Sequence, residues 1–150
     1  MENYQKYMRV ALALAKKAAS ENEVPVGAVV VMGGKIIGRG YNKKNEKKNP
    51  FLHAEMIAMQ KAVKKIGDWR LNECDLFVTL EPCPMCAGAI INARVKRVIF
   101  GAYDPKAGCC GTLYNIPADT RFNHRTIVVG GIMEKECGLV LTEYFKSKRL

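Results

Sequence analysis

Histidine is scarce in this sequence: two occur among 150 residues, and tryptophan occurs once. Long apolar runs are missing too. A helical membrane span needs about 20 predominantly apolar residues, and no stretch supplies them. The opening residues, MENYQKYMRVALALAKKAAS, lack a basic start, a long apolar segment and a small-residue cleavage site, so no secretion signal is expected there. Repeats, low-complexity tracts and linker-like segments are also absent. The composition, 49% hydrophobic, excludes a disordered chain. Residues 1–150 are expected to form a single domain with a real core. The expected location is the cytoplasm, where the six cysteines serve as thiols or metal ligands rather than disulfides.

Acidic residues are outnumbered, 14 Asp plus Glu against 24 Lys plus Arg, for a formal charge of +10. Such an excess fits a polyanionic partner, most simply nucleic acid, or merely a basic surface.

Hydrophobic periodicity divides the chain. Tyr4, Tyr7, Met8, Ala11, Leu14, Ala15 and Ala18 recur at helical spacing. VGAVVVM and KIIGRGY read as strands joined by a two-residue turn at Gly33–Gly34. NKKNEKKNPFL reads as a polar loop. A helix is expected from about His53, stopping at Gly67. DLFVTL, KRVIFGA and RTIVVGG are three more strands, and PMCAGAIINA is a helix between the first two. DPKAGCCGTLYNIP is a loop, and Met133, Cys137, Val140, Leu141, Tyr144 and Phe145 mark a terminal helix. The order predicts a layered α/β domain with a mixed sheet.

Two short stretches carry the chemistry. In TLEPCPMCAGAI, Cys83 and Cys86 form a C-x-x-C pair. Pro84 suits the first position of a helix, where its missing N–H costs nothing. That puts Cys83 at the cap and Cys86 one turn in, with the positive end of the helix dipole favouring thiolates. Alone, the pair reads equally as a redox dithiol or half of a zinc ribbon. Cys74, Cys109, Cys110 and Cys137 offer no second pair at ribbon spacing and read as core or loop thiols. His53, in HAEMIAMQ, supplies a third ligand. One imidazole and two thiolates leave a tetrahedral Zn²⁺ one open position for water, the arrangement of a catalytic site. Glu55 then faces that water as a proton shuttle. In mid-helix, His53 and Glu55 would diverge by about 200°, but in a first turn both can project towards the helix end. The plainer alternative is that His53 caps the helix and Glu55 complements its dipole.

The H-x-E and P-C-x-x-C spacing is similar to that of zinc-dependent nucleobase deaminases. EVPVGAVVV, NPFLHAEMIA, GDWRL, LFVTLEPCPMCAGAI, RVIFGAYDPKAG, RFNHR and ECGLVLTEYF extend the likeness over nearly the whole chain. In that order they resemble bacterial tRNA-specific adenosine deaminases. The resemblance implies the three-layer α/β/α cytidine deaminase-like fold with a mixed five-stranded sheet, one Zn²⁺ per chain, and a homodimer. It also implies a substrate, the wobble adenosine of a tRNA anticodon loop, mainly in an arginine tRNA, which becomes inosine. By the same resemblance His53, Cys83 and Cys86 bind zinc and Glu55 is catalytic. Pro25 and Val26 wall the base pocket, Asn42 contacts substrate, and Asp104 lies on the ribose side. Phe145, Lys148 and Arg149 belong to a terminal helix near the RNA.

Plainer roles stand beside these. Pro25 can simply open a strand, Asn42 and Asp104 suit turns, and Phe145 falls on an apolar helical stripe that predicts core packing. Trp69 reads as a packing residue. His124 reads as either structural or RNA-facing. Lys43, Lys44, Lys47 and Lys48 form either a solvated loop or a phosphate track. Two other functions share these features: a zinc deaminase of free guanine, cytosine or cytidine, and a non-catalytic zinc-stabilised RNA-binding module.

Overall fold

Gly33 and Gly34 both adopt positive φ, 57° and 78°, as a tight two-residue hairpin turn requires. They join strand β1 (Gly27–Met32) to β2 (Lys35–Tyr41), with the expected boundaries nearly met and a register shift between Val30 and Val31. The structure is a computed structural model and describes residues 2–148, leaving Arg149 outside the described residues. The remaining elements are α1 (Glu2–Ser20), α2 (Lys44–Lys47), α3 (Ala54–Ile66), β3 (Cys74–Leu80), α4 (Pro84–Asn92), β4 (Arg97–Ala102), β5 (Ile127–Val129) and α5 (Glu134–Lys148).

The five strands lie in the order β2-β1-β3-β4-β5. The β2–β1 and β1–β3 pairs are antiparallel, whereas β3–β4 and β4–β5 are parallel, so the sheet is mixed. Its faces follow the period-two alternation of strand side chains. Ala28, Val30, Leu76, Val78, Val98 and Phe100 pack against α3 and α4 on one face. Val29, Val31, Phe77 and Ile99 meet α1 and α5 on the other. This is the three-layer α/β/α arrangement.

Small residues set how closely the layers approach. A Cβ at Gly38 or Gly40 would collide with the backbone of Ala58 or Ala54, so these glycines seat α3 directly on β2. Gly67 ends α3 with φ 71°, as expected of a left-handed cap.

Four expectations change. The polar segment after Asn42 contains the one-turn helix α2, because buried Glu23 accepts from the backbone N–H groups of Asn45 (3.0 Å) and Glu46 (2.7 Å). Strand β5 keeps only three of the seven residues anticipated. Trp69 does not pack inside. It is 53% exposed, with the Arg70 guanidinium 5.4 Å from its ring. Phe145 is 44% exposed, because α5 buries only Cys137 and its apolar stripe extends beyond the sheet. No helix among the described residues is long and apolar enough to cross a membrane.

Candidate metal and substrate site

Two helices begin at the same place. His53 is the N-cap of α3 and Cys83 the N-cap of α4; both have extended backbone, and neither side chain caps its own helix. The imidazole and thiol are thereby free for other work. Capping of α3 falls to Asn42, whose Oδ1 accepts from the Ala54 N–H at 2.8 Å. The plainer reading of His53 as a cap by its side chain is set aside by this geometry. Pro84 occupies the start of α4, as the sequence requires, and Cys86 lies one turn in, fully buried.

The three ligand atoms lie within 4.8 Å of one another. His53 Nδ1 is 3.6 Å from both Cys83 Sγ and Cys86 Sγ. A tetrahedral ion with Zn–N of about 2.1 Å and Zn–S of about 2.3 Å requires an N···S edge of roughly 3.6 Å. The donor set therefore fits one Zn²⁺ in chemistry and in spacing. Between them the sulfurs divide a proton unequally. The Cys86 thiol beside it, aided by His53 and opposed by burial, holds Cys83 down at about 4, while Cys86 is pushed up. His53 is raised by its contact with Cys83, against burial. A divalent cation displaces the remaining proton when it binds.

Glu55, in the first turn of α3, is 3% exposed. Burial pushes its carboxyl up to about 7, partly offset by its own backbone N–H and by His53. A carboxyl so placed exchanges protons near neutral pH.

Beside the cluster is a recess of ≈ 200 Å³. His53, Glu55 and Cys83 form one end; Val26, Asn42 and Asp104 form other parts of its wall. Pro25 is buried but is not part of this lining; the neighbouring Val24 is. Asp104 has two roles, since its Oδ1 also accepts from the Lys106 and Ala107 N–H groups in a turn. Phe145 lines an adjoining recess with Tyr103 and Leu141, and this recess shares Val24, Leu80 and Asp104 with the first. Lys148 is engaged elsewhere: its ammonium donates to Asn22 Oδ1 at 2.7 Å. His124 makes a structural contact, its Nε2 donating to the Val95 carbonyl at 2.9 Å.

Two organising residues escaped the sequence reading. Glu81, 2% exposed, accepts at Oε1 from the Asp104 N–H and the Thr112 hydroxyl, and at Oε2 from the Cys110 and Thr112 N–H groups. Any side chain at Gly108 would strike this carboxylate. Glu81 thus ties the Asp104 wall to the end of β3, much as Glu23 ties α2 to the start of β1. Burial raises the Glu81 carboxyl, but the Thr112 hydroxyl and the three backbone donors outweigh it, and the net displacement is downward. The available signal was a lone carboxylate ahead of a proline-containing step in an apolar stretch, EVPV and LEPC.

Known proteins share this arrangement. Residues 1–102 match the cytidine and deoxycytidylate deaminase zinc-binding region, a span containing all three candidate ligands and Glu55. The tRNA-specific adenosine deaminase of Bacillus subtilis is 50% identical over 143 residues, covering 95% of this chain and 89% of the relative. A structure from studies of A-to-I editing by tRNA:A34 deaminases at the wobble position of transfer RNA is 38% identical, with a TM-score of 0.87, covering 91% of this chain and 99% of the other. Guanine deaminase from Nitrosomonas europaea, at 22% identity and a TM-score of 0.81, covering 93% of this chain and 83% of the other, shares the fold. The sequence likeness and the His–Cys–Cys geometry agree: the chain belongs to the cytidine and deoxycytidylate deaminase family, on the branch of the tRNA-specific adenosine deaminases.

Proposed function

We propose that this protein converts the wobble adenosine of a tRNA anticodon loop, in an arginine tRNA, to inosine, with Glu55 as the catalytic group and His53, Cys83 and Cys86 as zinc ligands. The observation that carries the reading is Glu55, buried beside a three-ligand cluster at one end of a recess for a single base. A structural zinc wants four protein ligands, so the non-catalytic module is disfavoured. The recess is smaller than the roughly 300–1,000 Å³ of pockets that enclose drug-sized molecules.

Zinc bound there supplies Lewis acidity and lowers the pKa of a coordinated water to roughly 7. Glu55 takes a proton from the water that attacks C6 of adenine and delivers it to N1. It then moves a second proton to the exocyclic amine, which leaves as ammonia, so adenosine plus water becomes inosine plus ammonia. Val24, Val26 and Leu80 are apolar surfaces for the base. Asn42 and Asp104 are polar contacts, the latter on the ribose side. Pro25 supports the wall from behind. Phe145 offers an aromatic face to a neighbouring base, Lys148 exchanges its Asn22 contact for an RNA phosphate, and Arg149, outside the described residues, is a further phosphate contact.

A loop nucleotide is the least costly to extrude from its stack, and the +10 charge suits a polyanion. The fold itself does not separate RNA from free-base substrates, since a guanine deaminase shares it. That residues 1–150 act as one domain is supported by the two helical layers covering a common sheet. A groove of ≈ 240 Å³ between α3 and α4, lined by Met56, Met59, Val63, Ala89 and Ala93 with only Gln60 polar, supports a homodimer. A tRNA substrate supports a cytoplasmic location.

The test is inosine formation on a panel of anticodon stem-loops, with free bases and nucleosides as competitors. The arginine-tRNA stem-loop is expected to react. Rapid reaction of free guanine or cytidine, with that stem-loop unmodified at low salt, would overturn the reading.

A further inference from the structure

A second recess, of ≈ 280 Å³, opens on the other side of the segment that carries Asn42. Side chains alternate along this segment: Asn42 and Lys44 line the base recess, whereas Tyr41 and Lys43 line the second one. Three further cations complete it, Lys17 from α1, Arg39 from β2 and Lys61 from α3.

The fold explains why cations from two helical layers meet here. Strand β2 is the sheet edge, with no strand beyond it among the described residues. Gly38 and Gly40 bring α3 against β2, and Gly27 brings α1 against β1, since a Cβ at any of them would strike helix backbone. Long basic side chains from opposite faces therefore reach one edge. Arg39 lies across from Val29 and Tyr41 across from Gly27, both on the α1 side. The Lys17 and Lys43 ammonium groups sit 5.5 and 4.9 Å from the Tyr41 ring centre, which helps to hold them in place.

Among the described residues, no carboxylate lines the recess. None of the four cations takes part in an ion pair among the described residues. The Glu21 carboxylate close by is committed to the Tyr41 hydroxyl at 3.1 Å. Guarding a strand edge against aggregation takes a charge or two. Four like charges gathered around one recess repel one another and call for an anion.

We propose that this recess holds the sugar–phosphate backbone of the substrate RNA beside the reacting nucleotide. The occupant follows from continuity. Consecutive Cα atoms are about 3.8 Å apart, so Lys43 is one residue from both Asn42 and Lys44. An RNA strand with its base in the first recess carries its flanking phosphates past the second. Arg39 adds a planar fork that matches a phosphate. The inference rests on the RNA reading above.

The double variant Lys17→Gln/Lys61→Gln tests it, because neither residue belongs to the base recess. Binding to an anticodon stem-loop is measured directly by fluorescence anisotropy across a salt series, separately from turnover. The variant should bind on the order of tenfold more weakly, with the log–log salt slope reduced by about 2, one per lost phosphate contact. Zinc content, urea midpoint and saturating turnover should match the parent, and Lys17→Arg/Lys61→Arg should restore binding. Unchanged affinity and slope would overturn the inference, and would do so equally if the variant aggregated, since the charges would then only guard the edge. Loss of inorganic phosphate binding without loss of RNA binding would also overturn it, as a small-anion site. Failure of the parent protein itself to bind the stem-loop at low salt would instead overturn the RNA reading.

Discussion

Asn42 Oδ1 accepts the Ala54 N–H at 2.8 Å, so a residue proposed to touch the substrate also caps the helix that begins at His53. The amide nitrogen of Asn42 makes no hydrogen bond among the described residues, although the side chain lines the base recess. These two functions can be separated. Asn42→Asp keeps an acceptor for the cap and loses the amide donor; Asn42→Ala loses both. Asn42→Ala should lower stability by about 1 kcal/mol, the usual cost of a lost cap, while Asn42→Asp should retain most of it. Both should keep zinc and lose turnover on a stem-loop. Urea unfolding, elemental analysis and single-turnover kinetics read the three properties independently.

Metal binding and proton transfer should also separate. His53→Ala, Cys83→Ala and Cys86→Ala are each expected to lose zinc from a parent holding about one ion per chain. Glu55→Ala should retain it and lose turnover by about 10²–10⁴-fold, the range of a positioned acid–base group. Full zinc in a ligand variant would remove that residue from the cluster. Appreciable single-turnover deamination without Glu55 would move the shuttle elsewhere.

The layers and the metal motif were legible in the sequence because their signals are local. Apolar periodicity marks α1 and α3, glycines mark the hairpin turn, and C-x-x-C places both sulfurs on one helix end. Glu23 and Glu81 were not legible. Their partners are backbone N–H groups 22 to 31 residues away, which leave no pattern in side-chain identity. The helix α2 was missed for the same reason, since Glu23 meets its first turn from a distant segment. The exposure of Phe145 was hidden because a helical stripe specifies a face and not what covers it.

Glu81 yields a prediction of its own. In Glu81→Gln, an amide NH₂ replaces one of the two acceptor oxygens, leaving backbone donors unmatched. Each buried donor so orphaned costs about 1–3 kcal/mol. The urea midpoint should fall, and amide exchange should accelerate at Cys110 and Thr112 before the strands β3 and β4. Unaltered protection at those two amides would show that the loop holds itself in place.

Stability should decline at alkaline pH through Cys137, which burial pushes up to about 12, with the nearby Glu136 adding to the shift. The neutral thiol is the folded form. Below the unfolded pKa of about 8.5 both states are protonated, and the stabilisation is fully present. As the pH rises towards 12, only the unfolded chain ionises, and the stabilisation is lost by up to about 1.4 kcal/mol per pH unit. Cys137→Ala should be less stable than the parent at pH 8 because a buried side chain is shortened, but its decline between pH 9 and 11 should be shallower. Parallel stability curves for the two proteins would remove Cys137 from the alkaline limb.

None of the six cysteines forms a disulfide, so no covalent bridge braces the fold. The proposed ligands His53 and Cys83 lie 30 residues apart, with all of α3 and β3 between them. An ion gripping both would close that segment into a ring. By the loop-entropy relation for cross-links, a ring of this length removes on the order of 3–4 kcal/mol of freedom from the unfolded chain. The cluster would then serve as a removable clasp: the same contacts that equip the enzyme for chemistry would make its resistance to heat depend on the zinc supply.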